Sequence, residues 1–335
     1  MIWKFYEDKP CRMEDELSID EIERVFSSMG GIVFFNISGG EPFMRDDFPD
    51  IVALALRHLS PKIIHIPTNG LMPDRIFRQV KAMLEHIEST SPGVKLSVKP
   101  SLDGLGEQQD EIRGVPGCFD KVVKTIKTLL PLSERHQNFL LEVGTVISRL
   151  NWGDIDRIAE YVHSLGIESY RNELAEVRAE FANEATGVTP SPEEYGEAIA
   201  RFRAKTIESL EGKSRYTRML ESLRLVYYGL ALKVLREQRQ VIPCFAGISN
   251  AHIDPYGNIW PCCTLANDAP LGSLRDVDYN FMALWHSEQA AKVRSSIRRG
   301  ECYCPLANQA YSNILLSPLW LLRTLWTFTR FAAFR

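Results

Sequence analysis

Seven cysteines are spread unevenly through the 335 residues: Cys11, Cys118, Cys244, Cys262, Cys263, Cys302 and Cys304. Five of them fall in the last third of the chain. In a reducing compartment such clustering points to metal ligation rather than disulfides. Thiolates are soft ligands, and four of them suit an iron–sulfur cluster or a zinc ion. A second group with chemical potential is Gly39-Gly40-Glu41-Pro42, which closes an apolar run from Ile32. Glycines let the backbone approach a ligand closely, and a carboxylate beside free backbone groups suits an ammonium. A turn with a helix-capping acid is the plainer reading of the same four residues.

The elements that must position these groups alternate strand and helix through the first half. Ser18 and Glu21 form a capping box; Ile22, Val25, Phe26 and Met29 then recur at helical spacing, and Gly30-Gly31 ends the helix. A strand is expected over 31–38, a helix over 49–59 and a strand over 62–70. Pro73 opens a helix with Ile76, Val80, Met83, Leu84 and Ile87 on its apolar side. Strands over 94–104 and 139–148 flank a helix expected over 118–130, with Cys118 as a packing residue at its start. A helix near 154–165 leads to Ile167-Glu168-Ser169-Tyr170-Arg171-Asn172-Glu173-Leu174. Short loops between β-α repeats imply a parallel sheet, whose active site collects at the C-terminal ends of its strands.

Three of those strand ends carry motifs in order: Gly39-Gly40-Glu41-Pro42, then Thr68-Asn69-Gly70, then Ser101-Leu102-Asp103-Gly104. Together they resemble the radical S-adenosylmethionine (radical SAM) enzymes over nearly the whole chain. The resemblance implies an α/β fold, a partial (β/α)6 TIM-like barrel here lacking its first strand, with a small Cys-rich α+β domain at the C-terminus. It also implies that Gly39, Gly40, Glu41, Pro42, Asn69, Ser101 and Asp103 border S-adenosylmethionine, with the Gly-Gly-Glu-Pro edge on its amino group. In that family a [4Fe-4S] cluster held by Cys-x-x-x-Cys-x-x-Cys delivers one electron, which cleaves the cofactor to a 5′-deoxyadenosyl radical that takes a substrate hydrogen. The sequence holds no such motif. The expectation is an N-terminally incomplete barrel whose Met1 stands just beyond the third motif cysteine. A non-catalytic iron–sulfur or S-adenosylmethionine-binding protein is the alternative. Cys11 alone does not replace three thiolates.

The stretch from Cys244 to Cys304 is similar to the auxiliary-cluster region called SPASM, or its shorter twitch form. Tyr256-Gly257-Asn258 reads as a hairpin turn within it. The resemblance implies one auxiliary [4Fe-4S] cluster held by Cys244, Cys262, Cys302 and Cys304, with Cys263 as the alternative to Cys262. A four-cysteine zinc ribbon is the competing reading. The expected division is a partial barrel over 1–178, a helical bridge over 179–240, the auxiliary domain over 241–312 and a basic apolar helix over 313–335.

No acid follows Glu301, while Trp320, Trp326, Phe328, Phe331 and Phe334 share the tail with Arg323, Arg330 and Arg335. Two readings stand for 315–335: a peripheral helix on an anionic membrane surface, or a helix docked on the barrel. It carries too much charge to span a bilayer. The net charge of −4 gives no basic excess, so nucleic acid is not an expected partner. A first segment without an apolar core and with acids leads to a cytoplasmic expectation. The remaining partners implied are a reductant protein and a substrate that is a peptide, a metabolite or a lipid. His65, inside an apolar strand, reads as a satisfied core histidine.

Overall fold

In a computed structural model, residues 13–177, 183, 186–210, 213–266 and 268–332 are described. Cys11 and the rest of the 1–12 segment lie outside them.

The first unit is built on five parallel strands in chain order: β1 (Phe34–Asn36), β2 (Ile63–Thr68), β3 (Lys95–Pro100), β4 (Phe139–Ile147) and β5 (Ser169–Leu174). The sheet is curled into a half-barrel. Its connections are helical, as parallel strands require: α1 (Ile19–Ser27) precedes β1, and α2 (Phe48–Leu59), α3 (Pro73–Thr90), α4 (Glu107–Arg113), α5 (Cys118–Arg135) and α6 (Ile155–Ser164) lie between successive strands. The Ser18–Glu21 capping box forms in both directions. β1 is shorter than its apolar run because it has only β2 beside it, and the ladder fastens only Phe34, Phe35 and Asn36. α5 runs on through Pro131 to Arg135, with Leu132 drawn into the core.

Strand side chains alternate between two faces, and the two faces differ in chemistry. Ile64, Ile66, Leu96, Val98, Leu141 and Val143 point to the helices and are buried. His65, Ser97, Lys99, Glu142, Arg171 and Glu173 point the other way, into the half-barrel. Gly144 shares that inner face. A Cβ there would stand 2.9 Å from Lys99 Cδ, so glycine is what lets the lysine lie across β4.

Two long helices follow, α7 (Pro192–Glu208) and α8 (Arg215–Glu237). α8 covers the free side of β5: Arg224 reaches Glu142, and Tyr228 takes the Asn172 N–H at 3.5 Å. The C-terminal region has a three-stranded antiparallel sheet of β6 (His252–Ile253), β7 (Asn258–Trp260) and β8 (Gly272–Ser273), with the expected turn between the first two. Helices α9 (Phe281–Trp285), α10 (Glu288–Arg298), α11 (Ala307–Leu316) and α12 (Pro318–Ala332) complete it. This region is fastened to α1: the Leu17 N–H donates to the Pro255 carbonyl at 2.7 Å, the Phe281 N–H donates to Ser28 Oγ at 2.8 Å, and Arg275 pairs with Glu21 at 2.6 Å.

Candidate functional site

The ends of β1 and β2 are joined through one carboxylate. Gly39 holds φ +133°, a conformation other residues rarely adopt, and the chain then turns into a short 3-10 helix, Pro42–Met44, capped by Glu41. Glu41 Oε1 accepts the Phe43 N–H at 3.3 Å and the Thr68 hydroxyl at 2.9 Å. Its Oε2 accepts the Asn69 N–H at 2.7 Å. The capping reading of Glu41 therefore holds, and the residue does more: it fastens the second strand end to the first. A carboxylate oxygen has two acceptor positions, so Oε2 keeps one for a further donor. Glu41 is buried, and that burial pushes its pKa above the usual value despite the three donors. A buried anion in that condition favours a cationic partner.

The third strand end is built differently. Asp103 is fully buried; its Oδ1 accepts the Val146 N–H at 2.8 Å, and its Oδ2 lies 2.6 Å from Arg113 of α4. Its carbonyl accepts Asn151 Nδ2 at 2.7 Å, and Asn151 Oδ1 takes the Ser148 N–H at 2.7 Å. Gln109 Oε1 accepts the backbone N–H groups of Asp103 and Gly104 at 2.7 and 3.0 Å. The Asp103 carboxylate and the Asn151 amide are thus spent on the loops themselves. Ser101 bridges to Gly144 and, with Asn69, stays half-buried at the same edge of the sheet.

Below this edge, the half-barrel interior carries a charged network. His65 Nδ1 meets Ser97 Oγ at 2.9 Å, and Ser97 donates to Glu142 Oε2 at 2.7 Å. Glu142 also accepts from Ser169 at 2.7 Å and pairs with Arg171 and Arg224, while Lys99 pairs with Glu173. Burial alone would push the Glu142 pKa up; the two guanidiniums outweigh it and hold it down at about 2. Burial, with Lys99 nearby, drops His65 to about 3. His65 is therefore the neutral, satisfied histidine its place in the strand implies. The network itself was not anticipated, although the alternation in Lys95–Pro100 and Ser169–Leu174 is the signal that marks an inner polar face.

In the C-terminal region Cys244, Cys262, Cys302 and Cys304 line one cavity with Thr264, Gln309 and Asn313. The site is assembled from three segments. Cys244 precedes a turn anchored by the Phe245 N–H donating to Asn313 Oδ1 at 2.9 Å. Cys262 follows β7, and Cys302 and Cys304 follow α10. Burial, and then the nearness of Cys244 and Cys302, pushes the Cys262 thiol up to about 11. Burial first, then Cys244, does the same to Cys302, also to about 11; burial raises Cys304 further. Without a cation beside them these sulfurs stay protonated; a bound cationic centre would favour their thiolate form. Cys263 is turned elsewhere, with its Sγ 3.2 Å from His252 Nδ1. Among the described residues, no three His, Cys, Asp or Glu side chains gather about a single ion-sized point.

Comparison with known proteins agrees with both halves. The family model of the radical SAM superfamily matches residues 4–162, and that of an iron–sulfur cluster-binding domain, SPASM, matches residues 244–305. The chain is similar to the mycofactocin maturase MftC of Mycolicibacterium smegmatis, 27% identical over 287 residues, covering 85% of this chain and 64% of that protein. It therefore spans less than two thirds of that relative's length. It is also similar to the AdoMet-dependent heme synthase of Methanosarcina barkeri, 25% identical over 301 residues, 86% of this chain and 79% of that one. Among solved structures, native anSMEcpe with bound AdoMet shares the fold with a TM-score of 0.55, covering 94% of this chain and 86% of that chain at 15% identity. The chain belongs to the radical SAM superfamily and carries a SPASM iron–sulfur cluster-binding region.

Proposed function

We propose that this protein is a radical SAM enzyme acting on a peptide, with S-adenosylmethionine at the strand ends and one auxiliary [4Fe-4S] cluster in the SPASM region. The observation that carries the cluster assignment is the shared cavity of Cys244, Cys262, Cys302 and Cys304. Four thiolates suit either zinc or an iron–sulfur cluster; the match of residues 244–305 to an iron–sulfur cluster-binding domain favours the cluster. Cys262 is preferred to Cys263 because it faces that cavity. The same reading keeps the division of the chain at 1–178, 179–240, 241–312 and 313–335.

When bound to a reduced cluster, S-adenosylmethionine supplies a 5′-deoxyadenosyl radical for hydrogen abstraction. Among the described residues before Cys244 the one cysteine is Cys118, buried at the start of α5. These residues do not fit the radical-forming cluster. What the chain's own residues do is bind and orient. Glu41 offers its remaining acceptor position to the cofactor's ammonium, with Gly39, Gly40 and Pro42 shaping the approach. Asn69 and Ser101 border the same edge, and Asp103 holds its loop in place through Arg113.

A peptide substrate is supported by the PqqA peptide cyclase of Granulibacter bethesdensis, 27% identical over 49% of this chain, and by an anSMEcpe structure holding AdoMet with the Kp18Cys peptide. A small-molecule substrate is the second reading, favoured by the likeness to the heme synthase. A reductant protein, a cytoplasmic setting and a peripheral membrane contact through 315–335 complete the proposal. No helix among the described residues is long and apolar enough to cross a membrane. The test is anaerobic isolation of the native protein, with iron counted and 5′-deoxyadenosine measured after adding S-adenosylmethionine and dithionite. Formation of 5′-deoxyadenosine is expected of a native protein whose N-terminal segment supplies the three motif thiolates that the described residues lack. One cluster's worth of iron without it would leave a binding protein.

A further inference from the structure

Helix α12 buries one side and bares the other. It packs along α8, with Trp320 and Thr324 buried. The opposite side presents Leu319, Leu322, Leu325 and Trp326, which are 60%, 62%, 39% and 62% exposed. At 100° per residue these four fall within one arc of the helix, and Leu315 and Leu316 at the end of α11 extend the apolar area. Arg323 and Arg330 run along one edge of the arc. Their guanidiniums lie 4.5 Å from the Trp320 ring and 5.4 Å from the Trp326 ring. Phe331, Phe334 and Arg335 have side chains outside the described residues.

Charge decides between occupants. Residues 302–335 carry three arginines and no acid, in a chain whose net charge is −4. An apolar arc bordered by arginines fits a surface that is apolar below and anionic at its rim. A bilayer with anionic headgroups has that profile: leucine and tryptophan sink to the acyl boundary while arginines reach the phosphates. Deepening the membrane-contact part of the proposed function, and independent of the radical chemistry, we propose that α12 lies flat on an anionic bilayer. In that pose Leu319, Leu322, Leu325 and Trp326 are immersed, and Arg323 and Arg330 lie at the phosphate level. Because α12 is packed on α8, and α8 reaches Glu142 through Arg224, the half-barrel is held close to the bilayer surface.

The test is co-sedimentation of the full chain with vesicles of phosphatidylcholine alone and of equal parts phosphatidylcholine and phosphatidylglycerol. Binding to the mixed vesicles, weakened by salt and absent from phosphatidylcholine, is expected. Arg323→Gln and Arg330→Gln should each weaken it about fivefold, and Leu322→Glu and Trp326→Glu should abolish it. These side chains point away from the core, so the variants should keep the fold, the iron content and the S-adenosylmethionine affinity of the parent. No binding, or equal binding to both vesicles, overturns the proposal while leaving the cluster reading untouched. A dimer in sedimentation equilibrium that Leu322→Glu dissolves, without vesicle binding, would also overturn it and give the face to a second copy. Loss of iron in the parent protein would sink the cluster reading and leave the vesicle result standing.

Discussion

The Glu41 carboxylate accepts the backbone N–H of Asn69 at 2.7 Å, so the first and second strand ends of the half-barrel are tied by one buried side chain. In the proposed reading fold and ligand site share this residue, and its substitution has two separable effects.

Glu41→Gln keeps the shape and removes the charge. The lost charge-assisted hydrogen bond to an ammonium should weaken S-adenosylmethionine binding by about 1.5–3 kcal/mol, roughly ten- to a hundredfold. Iron in the SPASM region should not change. Burial raises the Glu41 pKa above 4.5, so affinity should fall as pH drops through that raised value and the anion is neutralised. Titration calorimetry checks both; an affinity equal to the parent's would remove Glu41 from the site.

Arg113 supplies the cation of a buried pair. Arg113→Ala leaves Asp103 charged, buried and without its partner, which costs about 3–5 kcal/mol. Urea unfolding should show a lower midpoint, and Arg113→Lys should restore part of it. A loss below about 1 kcal/mol, typical of surface pairs, would mean that the Val146 N–H alone holds the loop.

Acid should destabilise the half-barrel in two stages. His65 sits at about 3 in the fold against 6.5 unfolded. The unfolded chain then binds more protons between those values, and stability declines as pH falls below 6.5. Glu142 sits at about 2 against 4.5; its contribution is complete above 4.5 and is lost as pH falls toward 2. Thermal melts from pH 7 to 4 should show a declining midpoint, and His65→Gln should flatten the upper part of that decline. A parent midpoint constant from pH 7 to 5 would contradict the neutral state of His65.

Local signals carried much of this architecture. The Ser18–Glu21 capping box, the apolar stripes of α3 and α5 and the order of strand ends are all properties of short windows, and short windows are what a sequence displays directly. The interior network is not local. Glu142 meets Arg224 across 82 positions, and Asp103 meets Val146 across 43, so only the strand register reveals them. The cysteines were legible as a group because thiols have few other reasons to cluster. The different directions of Cys262 and Cys263 were not: one lines the cavity and the other meets His252, and direction is set by how β7 ends. The α12 face was half legible, since its composition displays apolar residues among arginines but the packing on α8 decides which side stays bare.

Iron and acid-labile sulfide, counted after anaerobic reconstitution of the parent and of single Cys→Ser variants, test the cluster assignment most directly. The parent should be brown and hold about four irons and four sulfides in the SPASM region. Cys244→Ser, Cys262→Ser, Cys302→Ser and Cys304→Ser should each lose them, and Cys263→Ser should keep them. Zinc without sulfide in the parent, or iron kept by Cys262→Ser and lost by Cys263→Ser, would contradict the assignment.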